Sequence, residues 1–270
     1  MICRLHYYKY PYVELSLFTR RNVVPILIVT FFTELVLGAE HTMEEILYSE
    51  VIRLEELTKE SQYMWALPGM YVGILLDLYW LKVRKWKIWK LFGIAFISIA
   101  FYAMLMYFTL DINVNIEQYR LAIFLRGFAY ATLSPALMWS LDESVPSLEQ
   151  FFMGLFVFNI LHIYLAGAAG YGIYTTIFSH FMNENMMSYG EQLTLTHLDM
   201  AHFDLGGYIG NDFLHSMMMV TIKQVYGYVI WFALSLASIF MLCDIPAVRT
   251  NIRKVPRWPV YAIEYLAKRR

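Results

Sequence analysis

Charge is scarce in this 270-residue chain: Asp, Glu, Lys and Arg together make up 16% of it. Soluble domains carry about 25%. Cysteine is nearly absent, with Cys3 and Cys243 the only two, which excludes a disulfide framework. The N-terminal stretch MICRLHYYKYPYVELSLFTRRN lacks an apolar core followed by a small-residue cleavage site, so no cleavable signal is expected. A net charge of -1 gives no reason to expect a nucleic-acid partner. What replaces the missing charge is apolar and aromatic: 59% of the residues are hydrophobic, with 21 Tyr, 19 Phe, 16 Met and 7 Trp. A soluble domain of this length has too little interior for that surface. The lipid bilayer is the natural second solvent.

A helix needs about 20 mostly apolar residues to cross a bilayer. Six segments qualify, at roughly 23–39, 63–81, 88–110, 121–141, 151–178 and 220–243. The first is short and continues toward residue 47. The second contains Pro68-Gly69, which membrane helices tolerate because neighbouring groups satisfy the freed backbone. The organisation expected is a cytoplasmic segment 1–22, a transmembrane unit 23–243 with an outer loop 179–219, and a basic tail 244–270. Residues 40–60 are expected to finish the first helix and form an amphipathic outer connector.

Orientation follows from Lys and Arg, which concentrate on cytoplasmic loops. With both termini inside, the cytoplasmic segments hold Arg20, Arg21, the cluster Lys82, Arg84, Lys85, Lys87 and Lys90, and a tail from Arg249 to Arg270. Outside are only Arg53, Lys59 and Arg120. Both cysteines then face the reducing side. The expected location is the cell (inner) membrane, multi-pass.

The stretch GILLDLYWLKVRK, with Gly73, Asp77, Arg84 and Lys85 before a second apolar run, resembles the short loop motif of the major facilitator superfamily. That motif reads approximately G-x-x-x-D-R-x-G-R-R/K. Here Leu78 replaces its Arg, and its middle Gly is missing. FLRGFAYATLSP, with Arg126 and Gly127, is similar to the family's fourth-helix motif. LAGAAGYGIY is similar to its Gly-rich fifth-helix motif, without the usual Pro. Ordinary packing explains that run as well: Ala166/Gly170 and Ala168/Gly172 are small-xxx-small pairs that let backbones approach.

The long loop before the last helix resembles the fourteen-helix drug–proton antiporter branch, and the match covers the second half of such a transporter. The resemblance implies an all-α, six-helix half-domain of the major facilitator fold, built as a 3+3 inverted repeat. It also implies efflux of a small hydrophobic or cationic substrate against protons. A half has one wall of the substrate site, so a partner half or a second copy is expected. Gly73, Asp77, Arg84 and Lys85 would form the gating loop.

Ionisable residues within membrane segments are costly and point to function. Glu34 lies midway along the first segment, Arg126 about two turns into the fourth, and His162 in the fifth. These are the candidates for proton coupling, and a Glu34–Arg126 contact would mark a structural ion pair instead. His180, His197, His202 and His215 scatter over the outer loop without a tight ligand spacing, so no metal and no cofactor is expected. Catalysis is not expected either; an intramembrane metal enzyme would need histidines gathered at one depth. A membrane assembly partner without transport activity would have the same sequence features.

Overall fold

The computed structural model describes residues 17–19, 23–80, 88–111, 116–145, 147–196 and 208–242. These residues are helical almost throughout, and no strand occurs among them. Helix α1, Val23–Ile46, runs through a π-helical turn, Leu47–Val51. It ends where Arg53 takes a left-handed conformation, φ 55°, and Leu54 N–H donates to Tyr48 O at 2.9 Å. Two helices follow in close succession, α2 at Glu56–Tyr63 and α3 at Ala66–Tyr79. Pro68 stands in the first turn of α3, where a missing N–H leaves nothing unpaired. Then come α4, Ile88–Thr109, and α5, Arg120–Ser144. Helix α6, Leu148–Asn159, is capped by Ser147, whose hydroxyl accepts from Gln150 N–H at 3.2 Å. It passes through a π-helical stretch, Ile160–Ala166, into α7, Gly167–Thr196. The last described helix is α8, Tyr208–Leu242.

Five stretches are long and apolar enough to cross a membrane: Val23–Val51, Lys90–Thr109, Ile116–Asp142, Leu148–Ser188 and Leu214–Leu242. This is the signature of a multi-pass membrane protein. The second of the six expected segments is not among them. A turn at Met64–Trp65 separates α2 from α3, and α3 has 14 residues before residues 81–87, which lie outside the described set. Its length is about 21 Å, against about 30 Å of hydrocarbon.

The outer loop expected over 179–219 is also corrected. Helix α7 continues to Thr196 and α8 already begins at Tyr208. The reason is mutual burial: Met182, Met217 and Met219 are hidden, and Asn185 Nδ2 donates to Thr221 Oγ1 at 2.9 Å and Gln224 Oε1 at 3.0 Å. The expected cytoplasmic tail lies outside the described residues, as does the expected N-terminal segment apart from residues 17–19.

The most extensive packing joins α3 to α5, α4 to α8, α4 to α5, and α1 to α7. Between α4 and α8 the core is aromatic, with Phe96 stacked on Phe240 at 5.5 Å. Many large apolar side chains are exposed on the outside, including Leu75, Phe108, Tyr164 and Trp231. That pattern suits lipid as the surrounding solvent.

Two crossings bring backbones together through glycine. Between α3 and α5, a Cβ on Gly69 would overlap Phe124 O, one on Gly127 would overlap Ala66 O, and one on Gly73 would lie 2.7 Å from Phe128 O. Gly73 is therefore a packing position in α3, whatever else its motif implies. Between α1 and α7, a Cβ on Gly38 would lie 3.2 Å from Gly170 Cα. Of the two expected packing pairs, Ala166/Gly170 is buried in the bundle. Ala168/Gly172 is not: Ala168 is exposed, and a Cβ on Gly172 would meet nothing within 4 Å. Two residues further round the helix, the same small-residue motif faces outward.

Candidate functional site

The α1–α7 crossing sets up the first half of the site. Glu34 lies one turn before Gly38 on α1. His162 lies about two turns before Gly170, inside the π-helical stretch Ile160–Ala166. Such π-helical insertions occur frequently at functional sites because they re-aim a side chain within a continuous helix. With the backbones drawn together, His162 Nδ1 comes to 2.6 Å from Glu34 Oε1. Both side chains are mostly buried, at 20% and 14% exposure. Phe158 stacks on the imidazole at 5.9 Å and limits its rotation.

The α3–α5 crossing sets up the second half. Gly127 is pressed against Ala66, which places its neighbour Arg126 beside the first turn of α3. Tyr63, the last residue of α2, lies with its ring 5.4 Å from the Arg126 guanidinium carbon. Arg126 Nη1 forms an ion pair with Glu44 Oε2, and the Glu44 side chain is completely buried. The other Glu44 oxygen, Oε1, accepts from Tyr102 OH at 2.7 Å, and Tyr102 OH lies 3.1 Å from Tyr226 OH. One carboxylate thus ties α1 to α4, α5 and α8. Removing one partner of such a buried pair strands the other charge, at a cost of about 3–5 kcal/mol.

The alternative of a Glu34–Arg126 ion pair is therefore replaced. Each residue has a different partner, because α1 presents Glu34 toward α7 and Glu44 toward α5. Glu44 is not among the sequence candidates: it falls in the acidic segment 40–60, expected to finish the first helix and form an outer connector. Its signal was present: the buried stripe Ile26, Thr30, Thr33 and Leu37 continues at helical spacing to Glu44, Leu47 and Tyr48.

The two halves share one cavity of about 550 Å³. Glu34 and His162 stand on its wall, as do Arg126, His41, Tyr63, Tyr130 and Tyr171. All three residues singled out for proton coupling meet here. The volume falls in the usual range for small-molecule sites, about 300–1,000 Å³. Apolar and aromatic walls with a few convergent polar groups are the features of such sites.

Asp77 is elsewhere, buried near the end of α3. Neither of its carboxylate oxygens has a hydrogen-bond partner among the described residues. Arg84 and Lys85, the other members of the expected gating loop, lie outside the described residues, as do His197 and His202. Among the described residues no three His, Cys, Asp or Glu side chains gather as a metal site would require. Compared with family models and with curated proteins, the chain matches neither.

Proposed function

We propose that this chain is a six-helix half-domain of a secondary transporter of the major facilitator type, exchanging lipophilic cations for protons. It would sit in the cell membrane with both termini cytoplasmic. The observation that carries the reading is the Glu34–His162 contact, 2.6 Å apart on the wall of a cavity large enough for a small molecule. A carboxylate that shares its site with a titratable imidazole can trade a proton for a cation. When His162 is protonated, Glu34 is already neutralised. When the proton leaves, the carboxylate is available to a cationic ligand, and Tyr63, Tyr130 and Tyr171 offer ring faces to it.

The helix pairing supports the fold assignment. In an inverted 3+3 repeat the first span corresponds to the fourth, the second to the fifth and the third to the sixth. Taking α3 as the second span, this exchange turns the α3–α5 contact into the α7–α1 contact. It turns α4–α8 into itself and α4–α5 into α8–α1, and all of these contacts occur. The two glycine crossings, Gly69 with Gly127 and Gly38 with Gly170, fall on exchanged helix pairs too. The second wall of the transport path would come from another six-helix unit, either a partner half or a second copy.

Cation binding and proton release can be measured on the detergent-solubilised full chain, without a transport assay. Tetraphenylphosphonium added in weakly buffered solution should release protons from the wild-type chain. Glu34→Gln keeps the size and much of the hydrogen bonding but removes the charge. It should bind the cation more weakly and release no protons. Equal proton release from Glu34→Gln would remove Glu34 from the exchange, and no cation binding by the wild type would sink the reading.

A further inference from the structure

Arg126 poses a problem for a cavity that takes cations, since its guanidinium stands on the wall. A fixed positive charge there should repel them. The geometry points to Glu44 as the residue that sets the charge selectivity of this cavity, by neutralising Arg126 from behind so that the site accepts cations and rejects anions. This rests on the cation-exchange reading above and assigns it a further residue.

Three observations carry it. Glu44 does not line the cavity, and its side chain is completely buried, so it is out of reach of a ligand. Its two oxygens are both engaged, one by Arg126 and one by the Tyr102 hydroxyl at 2.7 Å. The hydroxyl is itself 3.1 Å from Tyr226 OH, which gives the network a second tether on α8. The carboxylate is thereby held as a fixed counter-charge. On the cavity side, the Tyr63 ring lies against the guanidinium and presents an aromatic face instead. Among the described side chains at the site, the Arg126 and Glu44 charges cancel. Glu34 is then the charge a ligand meets when His162 is neutral. Without Glu44, Arg126 would cancel Glu34, and protonation of His162 or His41 would make the cavity positive.

The test uses two ions of nearly equal size and shape and opposite charge, tetraphenylphosphonium and tetraphenylborate. Their affinities for the detergent-solubilised full chain are compared through their ratio, which removes differences common to both. The wild type should prefer the phosphonium. Glu44→Gln should shift the ratio toward the borate by about tenfold or more, the scale of one unit charge acting across a cavity of this size. Glu44→Gln/Arg126→Gln removes both charges and leaves no stranded ion. It should hold the wild-type ratio to within about threefold. The double variant also covers the case in which the single one fails to fold. An unchanged ratio in Glu44→Gln, or a double variant that follows the borate-shifted single one, overturns the assignment. A double variant whose ratio departs from wild type by about tenfold overturns it as well. The cation-exchange reading is judged separately, by whether proton release depends on Glu34.

Discussion

Gly127 and Ala66 meet backbone to backbone: a Cβ at position 127 would overlap the Ala66 carbonyl oxygen. This contact decides where Arg126 stands, because it fixes the distance between α5 and the start of α3. The nearest atom is main chain and cannot swing aside.

Gly127→Ala should therefore destabilise the fold by roughly 1–3 kcal/mol or more, the range for overpacking a close contact. Gly172→Ala is the internal control, since a Cβ there meets nothing within 4 Å. Its effect should stay within about 0.5 kcal/mol. Thermal unfolding of the two detergent-solubilised variants checks the contrast, and equal losses would contradict it.

His162 should make cation affinity depend on pH. As pH falls and the imidazole takes up a proton, Glu34 is neutralised and tetraphenylphosphonium should bind more weakly. His162→Gln should flatten that dependence while keeping measurable binding at high pH. Titrating affinity against pH for both proteins decides it. The other ionisable groups on the cavity wall, His41, Arg126, Tyr63, Tyr130 and Tyr171, remain in both.

Helix α2 is clipped to α1 by Lys59, whose Nζ donates to Glu45 Oε1 at 2.5 Å while Ser49 Oγ donates to the same oxygen at 2.8 Å. Glu45 is about half exposed, so solvent screens the pair. A double-mutant cycle of Lys59→Met and Glu45→Gln should give a coupling of roughly 0.2–1 kcal/mol. The hydrogen bond to Glu45 holds the Lys59 ammonium above its ordinary value, against the opposing effect of burial. A raised lysine stabilises the fold fully at neutral pH and loses that contribution as pH climbs past the raised value. The coupling should thus be unchanged between pH 6 and about 9.

The basic cluster at 82–90 should face the cytoplasm. A cysteine placed at Lys85 should resist a membrane-impermeant thiol reagent added outside intact cells and react once the cells are opened. Reaction from outside would reverse the orientation.

Hydropathy is local and additive, so the sequence by itself determined that this is a multi-pass helical membrane protein: five of six expected segments reappear as long apolar helices. Within 63–81 a turn at Met64–Trp65 interrupts the helix, which local hydropathy does not register. Intramembrane charge is also legible in one dimension, and Glu34, Arg126 and His162 were all marked by it. Their partners were not. Which carboxylate Arg126 meets depends on how α1 is rotated and how closely α1 approaches α5 and α7. Those quantities arise from glycine contacts between helices far apart in the chain. Only the tertiary structure sent Glu34 to His162 and Glu44 to Arg126, and only it turned Gly172 outward while pressing Gly170 onto Gly38. Side chains a hundred residues apart have no shared periodicity to read; they are matched by packing.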